Sequence, residues 1–180
     1  MSVIITLATE EHTRFAEIIS EMTASASAER KTGISKRPPE MIRQKIRASK
    51  AAIALDLDND VVAGFSYIET WGNGEFVSSS GLIVNPNYRK QQIARKIKSF
   101  LFNLARERYP NAILFGLTTS PAVMKINNEL GYKVAAFSGL PDDEQFWKGC
   151  QSCVNFDILT RTKREYCLCT GMIYNPKTDN

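Results

Sequence analysis

Three features that would point to common classes of protein are scarce in this sequence. Histidine occurs once, at His12, which is predicted to lie solvated in the first turn of a helix, so we assign it no catalytic role. No apolar run is long: residues 1–8 hold one that is far too short for a signal-peptide core or a membrane span, and acidic residues follow it at once. We therefore expect a cytoplasmic protein that has no membrane partner and keeps its cysteines reduced.

Runs of like charge are also missing, although the chain is mildly basic, with a formal net charge of +4. No block of Lys and Arg reaches the length of a nucleic-acid-binding tail, and the basic residues are not interleaved with a series of stacking aromatic residues. We therefore expect no nucleic-acid partner and an anionic small molecule instead. The chain has 180 residues, 43% of them hydrophobic, which is enough for one well-filled core. A single domain over residues 1–180 is the expectation.

One stretch carries the main functional signal. Residues 81–84 form a short apolar run that predicts a buried strand, and residues 85–87, Asn-Pro-Asn, form a turn that ends it. Apolar residues then recur every three or four positions to about Arg108, which predicts an amphipathic helix. A helix start offers unpaired amide groups and a partial positive charge to phosphate. Basic side chains lie at the same end: Arg89, Lys90, Arg95 and Lys96. We predict a pyrophosphate cradle here, the alternative being an ordinary polar helix entrance.

The rest of the chain alternates between strand and helix patterns. Strands are predicted at residues 3–7, 51–57, 61–71, 75–84, 112–117, 132–137 and 166–174. Four helices are predicted: one that begins after Thr9, one that begins at residue 38, the amphipathic helix that ends near residue 108, and one over residues 121–130. The first helix is expected to fray into a flexible connection over residues 23–35. The order of elements predicts an α/β (α+β) fold, in which a mixed, mostly antiparallel central sheet has helices on both faces.

Two motifs resemble those of the GNAT acyltransferase superfamily, and the order of the elements is similar to that of its fold. Residues 82–94, LIVNPNYRKQQIA, look like its coenzyme A motif: a strand, a proline turn, Arg or Gln, two free positions, Gly, a free position, and Gly or Ala. Arg89 and Ala94 match the ends, but Gln92 stands where Gly is usual, and Gly permits close approach of a phosphate. Residues 128–132, NELGY, match the usual end of the late helix. The resemblance covers most of residues 3–137.

The resemblance implies an acyl-coenzyme A cofactor, bound along the first motif. The expected cofactor-binding residues are Leu82, Ile83, Val84, Arg89, Lys90, Gln91, Gln92, Ile93, Ala94, Arg95 and Asn127. The superfamily polarises the thioester carbonyl with a backbone N–H of this strand, and we place that donor at Ile83. Its tyrosine proton donor to the leaving thiolate lies four residues before the late Gly, where this chain has Asn127. An amide can bind the cofactor but cannot act as a general acid, so the proton must come from elsewhere or from water.

Acyl transfer also needs a deprotonated amine. The candidate bases are Glu69 and Glu75 on the predicted hairpin, with Ser78 and Ser80 able to hold a relay water, and a plain surface role is the alternative for each carboxylate. Basic residues gather around the link between the first two helices: Arg30, Lys31, Lys36, Arg37, Arg43, Lys45, Arg47 and Lys50. They favour an acceptor that bears a carboxylate, the alternative being a solvated helix face.

The expected function is an acyl-coenzyme A-dependent N-acyltransferase, with acetyl as the expected donor group. The acceptor would be a small-molecule amine, best matched by the α-amine of a small acidic amino acid such as glutamate. Two alternatives remain: protein-lysine acetylation, and a non-catalytic module that senses acyl-coenzyme A, which Gln92 and Asn127 at two usual functional positions would suit. The residues do not decide which acyl group is transferred. They also do not decide the oligomeric state, for which a homodimer is one of the alternatives.

Four cysteines occur near the end of the chain, partly in an insertion predicted at about residues 139–165. They are Cys150, Cys153, Cys167 and Cys169, spaced as CxxC, a gap of thirteen residues, and CxC. Four thiols that reach one point suggest structural zinc, while buried packing thiols and redox pairing are the alternatives. Residues 146–176 also resemble a GNAT subgroup with GCxSC and CLCTGM segments, which is associated with arginine biosynthesis and acylation of glutamate.

Overall fold

The computed structural model describes residues 2–30 and 35–179. Within these residues a seven-stranded sheet has the strand order β1-β2-β3-β4-β5-β7-β6. The strands are β1 Val3–Leu7, β2 Ala51–Asp56, β3 Val61–Trp71, β4 Phe76–Val84, β5 Ile113–Thr118, β6 Lys133–Ala135 and β7 Thr170–Tyr174. β4 and β5 are parallel, and the other neighbouring strands are antiparallel. The predicted mixed, mostly antiparallel sheet is confirmed.

Helices cover both faces of this sheet. They are α1 Ala16–Arg30, α2 Pro39–Arg47, α3 Ile93–Arg108, α4 Pro121–Glu129, α5 Glu144–Lys148 and α6 Phe156–Arg161. On one face α3 buries Ile97 and Leu101 completely, and on the other α1 and α2 bury Ile19 and Ile42. Each such side chain contributes about 1.5–3 kcal/mol of burial free energy, which holds the helices to the sheet. None of the described helices is long and apolar enough to cross a bilayer.

The predicted insertion forms a small third layer against the end of β5. Trp147 of α5 and Leu159 of α6 are buried there together with Phe115 of β5. The indole N–H of Trp147 donates to the Pro141 carbonyl at 2.9 Å, which satisfies the polar edge of the ring inside an apolar cluster. The insertion therefore packs as part of the same body.

The first long helix continues further than its composition predicts. The sequence predicts fraying over residues 23–35, but α1 extends to Arg30, since Thr23 donates its hydroxyl to the Ile19 carbonyl at 2.9 Å and Ala26 is buried against the core. Small and hydroxylated residues tolerate a helix when tertiary packing supplies the stability. Residues 31–34 of the predicted connection, with Lys31 among them, lie outside the described residues.

The last two strands are shorter than predicted. The strand expected over residues 132–137 is β6, Lys133–Ala135, and the one expected over residues 166–174 begins only at Thr170. Its partner β5 ends at Thr118, directly opposite Thr170, so earlier residues have no strand to pair with. The Thr162 hydroxyl instead donates to the Tyr166 carbonyl at 2.9 Å and holds that segment in a turn.

Candidate functional site

The candidate site is a cleft that opens where β4 and β5 separate. The two strands pair only from Phe76 opposite Ile113 to Ser78 opposite Phe115. Beyond this point β4 continues beside β3 as far as Val84, while β5 continues to Thr118 paired only with β7 on its other edge. Two parallel strands that diverge leave backbone groups of both without a sheet partner, so the gap is lined by free hydrogen-bonding groups.

A bulge in β4 sharpens this separation. Ser66 of β3 lies opposite the irregular stretch of β4 between Ser80 and Ile83, and its hydroxyl donates to the Ser80 carbonyl at 2.8 Å. Gly81, inside the bulge, has a φ of +66°, and a Cβ there would lie 2.6 Å from Cε1 of Tyr67. Only glycine fits this position without displacing the tyrosine ring.

The bulge decides which amides of β4 face the gap. The Asn85 N–H donates to the Ala63 carbonyl of β3 at 2.9 Å. The Ile83 carbonyl also faces β3, since its oxygen would lie 3.1 Å from a Cβ added to Gly64. Because backbone groups alternate sides along a strand, the amides of Leu82 and Val84 are directed away from β3, toward the gap. This pairing disfavours the Ile83 amide, which was predicted as the hydrogen-bond donor to the thioester carbonyl. It favours the amide of Leu82, which lines the cleft.

The start of α3 lies next to the gap and is built on an unusual backbone. Asn85 fixes the turn, because its side chain accepts from the Asn87 N–H at 3.1 Å. Lys90 and Gln92 both have left-handed backbones, with φ of 66° and 60°. Gln92 is the position where the GNAT motif usually has Gly, which adopts this conformation without strain. No described side chain caps the helix, so its first amides stay open.

Basic side chains surround this helix start, as predicted. Arg89 lies 3.6 Å from Glu29 and Arg95 is paired with Glu129, and both arginines stay substantially exposed. The other predicted binding residues here divide by burial: Lys90, Gln91 and Gln92 are exposed, Ala94 is half-buried, and Ile93 is buried and anchors the helix to the core. The structure therefore brings the open amides and the positive side chains to one surface.

The two candidate bases differ in position. Glu69 lines the cleft, where Lys45 and Lys50 both contact its carboxylate. Burial opposes ionisation of Glu69, but the hydrogen bonds from the two lysines outweigh it, so the pKa of Glu69 lies below its ordinary value. A carboxylate held in this way is a poor proton acceptor. Glu75 is exposed at the hairpin, where its carbonyl accepts from the Ile113 N–H, and it is not among the described residues that line the cleft.

A short chain of hydroxyl groups lies along the β4 wall. The Trp71 indole N–H donates to Ser78 Oγ at 2.9 Å, and Ser80 Oγ donates to Ser78 Oγ at 3.2 Å. Ser79 Oγ is enclosed and has no hydrogen-bond partner among the described residues. The predicted relay serines are thus brought together inside the cleft, with one further hydroxyl that a bound molecule can satisfy.

Asn127 of α4 lies behind the β5 wall and is 1% exposed. Its Nδ2 donates weakly to Met172 Sδ at 3.7 Å and lies 3.8 Å from the Cβ position of Gly116, which lines the cleft. Its Oδ1 is enclosed, with no partner among the described residues. An unsatisfied buried acceptor costs about 1–3 kcal/mol, so this atom is suited to a donor that is brought in by a ligand.

The four cysteines all line the cleft, beside the insertion. Burial, followed by the nearby thiols of Cys153 and Cys167, raises the pKa of Cys150 to about 11. Burial and the same neighbours raise the pKa of Cys169 to about 12. Among the residues that the structure describes, however, no group of three or more His, Cys, Asp or Glu side chains is placed to hold a metal ion. The zinc prediction is therefore not supported. It assumed that Cys167 and Cys169 share one strand face, whereas both precede β7.

Known proteins are similar to this chain in structure, whereas the sequence comparisons find no match. No protein-family model and no curated protein matches the chain. Solved structures do: N-acetylglutamate synthase from Neisseria gonorrhoeae, complexed with coenzyme A and N-acetyl-glutamate, has a TM-score of 0.70 at 15% identity, over 97% of this chain and 35% of that chain. Rv2747 from Mycobacterium tuberculosis, in complex with coenzyme A, has a TM-score of 0.70 at 15% identity, over 96% of this chain and 98% of that chain. The chain has the GNAT acetyltransferase fold.

Another similar GNAT structure is phosphinothricin acetyltransferase from Sinorhizobium meliloti in complex with acetyl-coenzyme A. It has a TM-score of 0.63 at 16% identity, over 97% of this chain and 89% of that chain. The chain spans about a third of the length of the synthase but nearly all of the other two proteins. The GNAT fold predicted from two short motifs is therefore confirmed over almost the whole chain, the cysteine-bearing end included.

The cleft residues of this GNAT-fold protein that were not predicted as site residues include Tyr67, Ser79 and Lys98. Tyr67 and Glu69 lie two residues apart on β3, so strand periodicity alone would have placed both on one face. Lys98 interrupts the apolar stripe of α3, between Ile97 and Leu101, and a lysine at such a position is a signal that sequence reading can detect.

Proposed function

We propose that this chain is an acyl-coenzyme A N-acyltransferase that transfers an acetyl group to the α-amine of a small acidic amino acid such as glutamate. One observation carries the proposal: the gap between β4 and β5 opens beside an uncapped, basic helix start. Similar structures hold coenzyme A or acetyl-coenzyme A, which supports the choice of cofactor.

The residues present fit such a cofactor in two places. The open amides at the start of α3, with Arg89 and Arg95 beside them, suit a pyrophosphate. The amides of Leu82 and Val84, directed into the gap, suit the amide groups of a pantetheine arm, and the enclosed Asn127 Oδ1 can accept from one of its N–H groups. Acyl-coenzyme A, when bound, supplies the thioester whose acyl group is transferred.

The chemistry of the chain follows from the same cleft. We place the donor that polarises the acyl carbonyl at the Leu82 amide, one residue from Ile83, because the Ile83 backbone faces β3. Ser78, Ser79 and Ser80 hold water against the wall, through which the proton of the incoming ammonium reaches solvent. Glu69 orients Lys45 and Lys50 rather than acting as the base, and Glu75 takes no part.

We call the part of the cleft that Arg37 and Lys45 line its acceptor end, and it is basic. Arg37 lines it, lies 5.9 Å over the ring of Tyr67, and donates from Nη1 to the Ser35 carbonyl at 2.9 Å. Its Nε is enclosed, with no partner among the described residues. A carboxylate of the acceptor would supply that partner, with the ammonium of Lys45 nearby to balance its charge. The N-acetyl-glutamate in the gonococcal structure supports this class of acceptor.

The test is free-thiol release from acetyl-coenzyme A with a panel of amines: glutamate, aspartate, neutral amino acids, simple alkyl amines and a lysine peptide. We expect release with an acidic amino acid above all. Release with the peptide alone would replace the proposal with protein-lysine acetylation. Binding of acetyl-coenzyme A by calorimetry without release from any amine would replace it with an acyl-coenzyme A sensor, which Asn127 in place of a tyrosine favours.

A further inference from the structure

Lys98 is a buried lysine that the proposed chemistry has not used. It lies on α3, is 4% exposed, and borders the cleft, as do Gly116 and Leu117 of β5. No hydrogen bond or ion pair to it is recorded among the described residues, only the face of the Tyr132 ring at 5.7 Å.

The charged and ionisable groups around Lys98 do not neutralise it. On the elements that pack against α3, Asp56 is bonded to Tyr88 and Glu129 is paired with Arg95, while Lys125 is exposed. On the cleft side, Tyr67 lies beside Arg37, and Glu69 is held by its two lysines. Tyr132 faces Lys98 with its ring, and burial raises the pKa of that phenol further above neutrality. The ammonium therefore has no anionic partner among these groups.

A buried ammonium without an anion is costly, and ionisable groups that burial perturbs in this way cluster at functional sites. The position normally occupied by the proton donor of this fold holds Asn127, which cannot give up a proton. We propose that Lys98 is the catalytic acid of this protein, which protonates the thiolate that leaves as the acyl group is transferred. The inference rests on the proposed function and deepens it.

The step balances in atoms and electrons. The acceptor nitrogen forms a bond to the acyl carbon, and the C–S bond breaks with its electron pair on sulfur. The Lys98 ammonium gives one proton to that sulfur and becomes a neutral amine. The acceptor nitrogen loses one proton to water along the serine wall, and Lys98 regains one from solvent, so no other reactant is needed. Burial lowers the pKa of Lys98 to about 8, near that of an ordinary thiol, which suits proton transfer between them.

The first test needs no turnover. Coenzyme A is bound to the protein, and the ultraviolet absorbance of its thiolate is followed against pH, with the free protein titrated in parallel and subtracted. A cation within reach of the sulfur lowers the pKa of the bound thiol by about one unit or more. We expect that lowering in the wild type and in Lys125→Met, an exposed lysine change on the neighbouring α4, and its loss in Lys98→Met. An unchanged thiol pKa in Lys98→Met overturns the inference.

The second test is the pH dependence of kcat. In the wild type, kcat should level off and fall above about pH 8 as Lys98 loses its proton. Lys98→Met should lower kcat by about 100-fold or more and remove that fall. Lys98→Arg keeps the cation but cannot release a proton, so it should keep the lowered thiol pKa and still lose activity, and it also serves if the Met variant does not fold. Equal pH profiles in the wild type and the variants would contradict the role of Lys98. Absence of coenzyme A binding or of thiol release in the wild type would instead refute the proposed function.

Discussion

In the proposed function, acceptor recognition depends most directly on Arg37. Arg37→Met removes the buried Nε and the charge, and it should raise KM for an acidic amino acid about 10–100-fold, since a charge-assisted hydrogen bond contributes about 1.5–3 kcal/mol. Affinity for acetyl-coenzyme A, measured by calorimetry, should not change. Arg14→Met is the matched control, because Arg14 is paired with Asp60 and does not line the cleft. A KM that rises equally for an alkyl amine without a carboxylate would contradict this role.

The burial of Lys98 also predicts how the free energy of unfolding depends on pH. Its pKa falls from 10.5 to about 8 on folding, so the unfolded chain holds more protons than the folded one between these values. Stability therefore rises with pH across this window, by up to about 3 kcal/mol, and the full penalty applies below about pH 8. Urea unfolding at several pH values should show Lys98→Met more stable than the wild type at pH 7, with the difference shrinking toward pH 10.5. A difference that does not depend on pH would mean that Lys98 is not buried as described.

Single residues also show where sequence reading fails. His12 is predicted to be solvated, yet it is 8% exposed, and its Nδ1 accepts from the Thr9 N–H at 2.8 Å to cap the helical turn at Glu10–Phe15. The neighbouring acids, Glu10 and Glu11, predict the helical turn but not the burial of His12, because that burial depends on the packing of α2 over the turn. Arg37, in contrast, belongs to the basic cluster that the sequence does show.

At the scale of elements, the bulge of β4 is the feature that opens the cleft. Gly81→Ala places a Cβ 2.6 Å from the Tyr67 ring and forces an L-residue to a φ of +66°. We expect a loss of about 2–4 kcal/mol in the free energy of unfolding, together with weaker binding of coenzyme A. Gly74→Ala separates the two causes, because Gly74 has a φ of +88° with nothing within 4 Å of a Cβ, so only the backbone cost of about 1 kcal/mol should appear. Equal losses in the two variants would show that the tyrosine contact is unimportant.

The turn before α3 makes a prediction of the opposite sign. Gln92→Gly relieves a left-handed backbone and should raise the free energy of unfolding by about 1 kcal/mol, with tighter binding of coenzyme A as the backbone becomes accessible. Gln91→Gly is the control: its φ is not positive, so glycine there should destabilise by about 0.5 kcal/mol. Guanidinium unfolding of the three proteins compares them, and a loss of stability in Gln92→Gly would refute the argument from strain.

Elements were predictable where a local pattern decides them. The helix that ends near Arg108 and the strand over residues 61–71 follow from residue spacing, and the structure has both. The start of β7 at Thr170 is set by where β5 stops, 52 residues earlier in the chain, and no local pattern contains that information. The same holds for the site: the motif located the helix start, whereas the side of β4 that faces the gap depends on a bulge whose pairing partner is on another strand.

At the scale of the whole molecule, the cofactor should be a major source of stability. Coenzyme A at about 100 times its Kd adds about 2.7 kcal/mol, which for a chain of 180 residues raises Tm by about 5–10 °C. Pantetheine, which lacks the diphosphate, should give a clearly smaller shift at an equal concentration. Added salt should reduce the shift from coenzyme A by screening the basic helix start. An equal shift from both compounds would place the diphosphate away from α3.

One contact across the molecule joins the link before α2 to the insertion. The Lys36 N–H, on the link before α2, donates to Ser152 Oγ in the insertion at 3.2 Å, although the two residues are 116 positions apart. This bond ties the cysteine-bearing layer to the link before α2, where the next residue, Arg37, lines the cleft. The placement of Arg37 therefore depends on the insertion as well as on α2.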